Sequence, residues 1–213
     1  MSEQTEARPR KERKANADRR RRQLLDAARR SILRHGLART TLATVAEEAG
    51  LSQGVAVFYF KSKGGLLAET LRDLYLGYQT LWTEALEAAG ADPRDRLRAL
   101  IEADFDPESC GPEVLPVWFA FWGELPFTET YDELAGSFDE RRRAALVAIW
   151  SELLPDRSPE EVAQLAEWLD ILTDGYWQRL HLSPGRFDAQ AAVRSTWACL
   201  ARLAPELGEA PRL

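Results

Sequence analysis

Apolar residues recur along this chain at intervals of three and four and nowhere alternate for long, which predicts helices throughout and no strand. Leu24, Leu25, Ala28 and Ile32 mark a first helix that ends near His35 and Gly36. Leu42, Val45, Ala46 and Ala49 mark a second, capped by Thr40 and ended by a left-handed Gly50. Ser52 caps a short third helix, which turns Ala56, Tyr59 and Phe60 inward and Gln53, Val55, Val57 and Phe58 outward. Lys61, Ser62 and Lys63 then open a long helix to about Ala88, whose Leu66, Leu67, Leu71, Leu74, Tyr75, Tyr78 and Trp82 require more than one packing partner.

Further on, Asp92 and Pro93 read as N-cap and first residue of a helix through about Asp104, and the following FDPESCGP as a loop. Residues 113–125 are densely aromatic, with Pro116 at or near the first turn. A long helix from 127 or 128 to Leu154 stops at Pro155, Ser158 and Pro159 start another to about Leu182, and Asp188 caps a last one to about Leu203. The total is about nine helices in an all-α chain. In the penultimate helix Val162, Leu165 and Leu169 lie on one side and Trp168, Ile171 and Gly175 on another, so it is expected to be buried on two sides. The small face of the last helix allows close approach. Together they suit a four-helix dimer interface with Val162, Leu165, Leu169, Ala192, Thr196 and Cys199 as the expected contacts. Packing inside one protomer is the alternative.

A helix, a tight glycine turn and a short helix make a helix-turn-helix, whose second helix enters the DNA major groove. Charge favours that reading over a plain helical hairpin. Residues 1–70 hold 15 Lys and Arg against 8 Asp and Glu, whereas residues 71–213 hold 13 against 26. The chain therefore has a basic end suited to phosphate and an acidic remainder that DNA repels. The division expected is a disordered basic arm over 1–18, a DNA-binding domain over 19–65, and a second domain over 66–213. Arg19, Arg20, Arg21 and Arg22, on a first helical turn, are expected at phosphates, as is Lys63 at the start of the long helix. Thr40, Thr41, Ser52, Gln53, Gly54, Val55, Val57, Phe58, Tyr59 and Lys61 complete the expected DNA-contacting set.

The 213 residues can bury a sizeable core, and no apolar run approaches the ~20 needed to span a bilayer. With no secretory segment, Cys110 and Cys199 are expected as cytoplasmic thiols. Two histidines, His35 and His181, no G-x-S-x-G, no metal-ligand cluster and no phosphate loop argue against an enzyme, and no cofactor or metal is expected.

The run TTLATVAEEAGLSQGVAVFYFKSKGGLL, from Thr40, is similar to the DNA-binding signature of TetR-family regulators. That resemblance implies an all-helical homodimer with an N-terminal three-helix DNA-binding domain and a C-terminal domain for ligand binding and dimerisation. DFD at 104–106, WFAFW at 118–122 and DGYWQR at 174–179 resemble the BetI-type subgroup, repressors of the pathway from choline to glycine betaine. Val57 and Phe58 depart from the polar, tyrosine or histidine residues common there, so base reading is expected to lean on Gln53, thymine methyls and phosphate clamping. A quaternary ammonium has no proton to donate and must be held by aromatic faces and a nearby carboxylate. Asp104, Trp118, Trp122, Asp170, Asp174, Tyr176 and Trp177 are the expected effector residues, the i, i+4, i+7 spacing of Asp170, Asp174 and Trp177 placing these three on one helical face. The expectation is a repressor released from a palindromic operator by such an effector. A bulky apolar effector, and a ligand-independent architectural DNA binder, are the alternatives.

Overall fold

The computed structural model describes residues 10–186 and 188–208. It is all-α, with no strand among the described residues. Two compact units meet inside the fourth helix, one ending at Asp73 and the other starting at Leu74, rather than at the expected 65/66.

The first unit holds α1 (Arg10–Arg39), α2 (Leu42–Glu48), α3 (Gln53–Phe60) and the start of α4 (Lys63–Ala88). Leu24, Leu25 and Ala28 of α1, Val45, Ala46 and Ala49 around α2, Ala56 and Phe60 of α3, and Leu66 of α4 close its core. Helix α1 starts within the stretch expected to be a disordered arm, so residues 10–18 are helical. Lys, Glu, Arg and Ala, all good helix formers, make up most of that stretch. The earlier part of the arm, residues 1–9, lies outside the described residues. Gly36, at φ 75°, interrupts the helical backbone where the sequence places the end of the first helix.

The cap of α2 is Thr41 and not Thr40. Thr41 Oγ1 accepts from Thr44 N at 3.2 Å while Thr44 Oγ1 accepts from Thr41 N at 2.9 Å. Thr40 is fully buried, its hydroxyl donating to the Gly36 carbonyl at 3.0 Å beside Ser31 Oγ. At the other end Gly50, φ 64°, turns the chain, and Gln23 Nε2 donates to the Ala49 carbonyl at 2.6 Å. Arg22 and Arg29 both pair with Asp73 at 2.7 Å, fastening α1 to α4.

The second unit continues α4 and adds α5 (Pro93–Asp104), α6 (Pro107–Cys110), α7 (Leu115–Trp122), a 3-10 turn (Leu125–Phe127), α8 (Glu129–Leu153), α9 (Pro159–Leu182), α10 (Ala189–Leu203) and a closing 3-10 turn (Pro205–Leu207). The expected loop after α5 contains the short α6, because Asp106 caps it by accepting from Glu108 N at 2.8 Å, with Pro107 as its first residue. Asp92, Ser158 and Asp188 cap α5, α9 and α10 as their sequence positions predict. Helix α8 packs on both α5 and α9, and α10 covers α9 and α5. Leu97, Leu100, Ile101, Leu146, Ile149 and Trp150 are fully buried in this core.

Thr41→Ala is expected to cost roughly 1 kcal/mol, the usual worth of such a cap, read as a lower urea midpoint for the first unit. Thr41→Ser retains most of that stability.

Candidate functional site

Two surfaces carry the chemistry anticipated from the sequence, one in each unit. In the first, Ala56 and Phe60 anchor α3 in the core and leave Gln53, Gly54, Val57 and Phe58 exposed. Phe58 is 68% exposed, an unusual position for a ring on a small domain. Tyr59 meets it edge-on at 5.1 Å. Lys61 holds this end of α3: its Nζ donates to the Phe58 carbonyl at 2.8 Å and lies 5.3 Å from the centre of the Phe58 ring. Its backbone is strained at φ 64°, ψ −45°, in a γ-turn closed by Ser62 N donating to the Phe60 carbonyl at 2.7 Å. Gly65 then begins α4 with no space for a Cβ, which would sit 2.3 Å from the Phe60 carbonyl oxygen.

Ser52, Gln53, Gly54, Val57, Phe58 and Lys61 of the expected DNA-contacting set therefore share one exposed face. Val55 and Tyr59 are half-buried against the core, so Val55 does not face fully outward. Thr40 is removed from the set by its burial, and Thr41 spends its hydroxyl on its cap. The Lys63 ammonium donates to the Ala38 carbonyl at 2.5 Å. The four arginines lie in mid-helix instead of on a first turn: Arg21 pairs with Glu69, Arg22 with Asp73, and Arg19 donates to Asn16 Oδ1 at 2.6 Å. Arg20 is exposed. Arg21 and Arg22 thus have carboxylate partners where phosphate contacts were expected.

In the second unit a cavity of about 390 Å³ opens between α4, α7, α8 and α9. Its apolar walls are Tyr75, Tyr78, Trp118, Trp122, Leu125 and Trp177. Trp122 and Trp177 are near-parallel with centroids 6.0 Å apart, and Trp118 lies 5.9 Å from Trp177. Tyr75 meets Trp118 edge-on at 4.8 Å. Asp139, Arg142, Asp170, Thr173 and Asp174 supply the polar side.

Behind this wall Asp104, with no exposed surface, accepts from Tyr78 Oη at 2.6 Å, Arg142 Nη2 at 2.8 Å and Thr173 Oγ1 at 3.0 Å. Trp177 Nε1 donates to its carbonyl at 2.8 Å, and Arg142 Nε reaches Asp170 Oδ1 at 3.2 Å. Burial pushes the Asp104 carboxyl up while Arg142, Tyr78 and Thr173 pull it back; three donors on one carboxyl hold the ionised form. Burial likewise works against the Arg142 charge, and the Asp104 and Asp170 carboxylates outweigh it. Burial drives the Tyr78 phenol well above its ordinary range, so it stays a donor.

Trp118, Trp122, Asp170, Asp174 and Trp177 of the expected effector set line this cavity. Asp104 supports it from behind rather than facing it, because its carboxyl is consumed by the ion pair. Tyr176 turns away, edge-on to Phe105 at 5.9 Å, toward a groove between α9 and α10. Tyr75, Tyr78, Asp139, Arg142 and Thr173 are additions. The i, i+3 pairs Tyr75/Tyr78 and Asp139/Arg142 signal shared helical faces, but nothing in the sequence says that those faces meet α9.

The expected dimer contacts also need correction. Val162, Leu165, Leu169, Ala192 and Thr196 are buried within the chain, and Cys199 is half-buried. The core-facing stripe was assigned to the partner. The outward stripe of α9 is Trp168, 37% exposed, and Ile171, 57% exposed, followed by Gly175. No helix among the described residues is long and apolar enough to cross a membrane.

Residues 24–70 match the family described as bacterial regulatory proteins, tetR family, and residues 93–205 match the BetI-type transcriptional repressor C-terminal domain. The chain is 38% identical to the HTH-type transcriptional regulator BetI of Paraburkholderia xenovorans over 83% of its own length and 89% of the relative's. It is 39% identical to that of Burkholderia thailandensis, covering 82% and 88%. Among solved structures, a putative transcriptional regulator from Pseudomonas aeruginosa PAO1 superposes with TM-score 0.78 at 27% identity, over 90% of this chain and 92% of that one. A putative transcriptional regulator from Saccharomonospora viridis, solved in complex with choline, superposes with TM-score 0.73 at 22% identity, over 87% and 96%.

Arg142→Met is expected to destabilise the second unit by about 3–5 kcal/mol, because it leaves Asp104 buried without its counter-charge. The double variant Asp104→Asn/Arg142→Met recovers most of that loss in urea unfolding, since no uncompensated charge remains.

Proposed function

We propose that this chain, which belongs to the TetR family of bacterial transcriptional regulators and carries a BetI-type C-terminal domain, is a dimeric repressor released from its operator by a quaternary ammonium compound of the choline type. The observation that carries the effector class is the pocket itself. A trimethylammonium group offers no N–H, so affinity must come from aromatic faces and from negative charge it need not hydrogen-bond. Tyr75, Trp118, Trp122 and Trp177 supply the faces, and Asp139, Asp170 and Asp174 the charge. A bulky apolar ligand would bury those carboxylates without return. The choline held by the Saccharomonospora viridis regulator supports the same ligand class.

For the DNA partner, α3 offers Gln53 as an amide donor and acceptor beside the exposed Val57 and Phe58. Such a surface favours operators with thymine methyls under the two apolar side chains and leaves positioning to phosphate contacts. A palindromic site with half-sites ~34 Å apart suits a symmetric dimer. The outward stripe of α9, Trp168 and Ile171, is apolar surface of the kind that a second copy covers. Tyr75 and Tyr78 of the pocket wall belong to α4, the helix that follows α3 in the chain. Ligand between these tyrosines and α9 shifts the DNA equilibrium only by its differential affinity for the two states of the protein.

Selection of bound sequences from random duplexes should return a palindrome, and choline should weaken binding to it about 5- to 150-fold, the usual range of coupling. Trp122→Ala should keep operator affinity and lose the choline response. Release by apolar compounds but by no ammonium, or indifference to every ligand, would instead identify a different sensor or an architectural binder. Phe58→Ala should cost about 0.8 kcal/mol of discrimination at one thymine position, the worth of one buried methyl-sized group, measured by anisotropy with thymine-to-uracil duplexes.

A further inference from the structure

Arg142 has one nitrogen that the fold does not use. A guanidinium carries five N–H donors on three nitrogens and does not shed its proton to relieve burial. Nη2 donates to Asp104 Oδ2 at 2.8 Å and Nε to Asp170 Oδ1 at 3.2 Å. Nη1 is buried and has no partner. The side chain is only 9% exposed, and a buried donor on a charged group is costly to leave without an acceptor.

The surroundings of Arg142 narrow down where that acceptor comes from. Arg142 is the cation among the residues lining the aromatic cavity. It also borders a recess of about 10 Å³ that shares Tyr75, Tyr78 and Asp139 with the cavity, room for about one oxygen-sized group. Gln79 borders the same recess, but its side-chain oxygen is taken by Arg141 at 3.1 Å. Other donors of the wall are already spent, Tyr78 and Thr173 on the Asp104 carboxyl and Trp177 on the Asp104 carbonyl. The cavity therefore keeps a charged donor in a wall that otherwise offers rings and carboxyls.

We propose that Arg142 Nη1 reads an oxygen of the effector, donating to a hydroxyl, carbonyl or carboxylate carried a few bonds from the ammonium nitrogen. This rests on the effector reading above and adds to it the second group of the ligand and the residue that recognises it. Aromatic faces and carboxylates attract any compact onium ion, and so do not tell a hydroxyethyl chain from a propyl chain. Burial alone favours the hydrocarbon. A guanidinium nitrogen in the same wall reverses that preference, because an oxygen satisfies it and a methyl group leaves it unpaired. The ligand is also oriented: its oxygen is held from α8, while its ammonium lies against the rings of α4, α7 and α9.

Titration of the full-length protein with two pairs of size-matched ligands tests the assignment. Choline is compared with n-propyltrimethylammonium, and 2-methoxyethyltrimethylammonium with n-butyltrimethylammonium, so that within each pair an oxygen stands in place of a carbon. The ether oxygen accepts and cannot donate, which separates Arg142 from the carboxylates, whose only use for a hydroxyl is as a donor. Choline should bind about tenfold or more tightly than the propyl compound, the worth of one hydrogen bond to a charged group. The ether should bind about threefold or more tightly than the butyl compound, an ether being the weaker acceptor. In Arg142→Lys, which keeps a positive charge beside Asp104 and lacks Nη1, both ratios should fall to about one or below. Should that variant fail to give a cooperative melting curve, the two ligand pairs decide the matter in the unaltered protein. A preference for oxygen in the choline pair alone makes the hydroxyl a donor to the carboxylates and overturns the role of Arg142. So does a preference that persists in folded Arg142→Lys. Saturable binding with no preference for oxygen in either pair overturns the oxygen site and leaves the effector reading intact. Absence of binding by all four ligands removes the effector reading and the oxygen site with it.

Discussion

The second unit depends on one buried ion pair. Asp104 and Arg142 stand in the core, where a single unpaired charge would be prohibitive, and each is held by groups from other helices. Tyr78 from α4, Thr173 from α9 and Arg142 from α8 converge on one α5 carboxyl, while Arg142 also reaches Asp170. Four helices thereby share one electrostatic register. A hydrophobic contact tolerates sliding by an ångström; three donors on one carboxylate do not. The aromatic walls of the pocket are built outward from this point, since Trp177 donates to the Asp104 backbone and Tyr78 is both a donor to Asp104 and a wall of the cavity. The same pair consumes two of the carboxyls, leaving Asp139 and Asp174 to face the cavity.

The first unit solves a different problem, that of presenting an apolar, weakly donating helix at its surface without losing its place. Helix α3 has eight residues, too short to be stable alone, and is held by Ala56 and Phe60 below and by the junction with α4 behind. That junction has little freedom: a strained Lys61, a hydroxyl of Ser62 accepting from Gly65 N at 3.0 Å, and a glycine whose Cβ would strike the Phe60 carbonyl. The arginines that the sequence offers to DNA are partly spent in fixing α1 to α4 through Glu69 and Asp73. The basic character of the unit is therefore divided between architecture and electrostatic attraction.

Local signals were legible in the sequence. Caps such as Asp92, Ser158 and Asp188, the glycine turn at Gly50, and the inward set Ala56 and Phe60 all follow from short-range rules. The errors arise where two local solutions compete or where the partner is distant. Thr40 and Thr41 are both competent caps, and the choice fell to Thr41 because Thr40 bonds back to Gly36. The charged run ahead of Arg19 reads as a tail or as helix, and its helix-forming composition continues α1 back to Arg10. On α9, periodicity identifies two apolar stripes without stating which faces the core; Val162, Leu165 and Leu169 do, and Trp168 and Ile171 do not. The tryptophans and α9 carboxyls of the pocket were visible as an aromatic-acidic pattern. Asp139 and Arg142 were not, because charged residues on a long helix have the same sequence appearance whether they face bulk solvent or a cavity.

The central claim is that the aromatic cavity built on the Asp104–Arg142 pair receives a quaternary ammonium. Its most direct test is a crystal structure of the protein with arsenocholine, whose arsenic replaces the ammonium nitrogen and scatters anomalously. One strong anomalous peak per chain, walled by Tyr75, Trp118, Trp122 and Trp177 and facing Asp139 and Asp174, is the predicted result. A peak in the groove between α9 and α10 instead, or none at saturating concentration, would contradict the account.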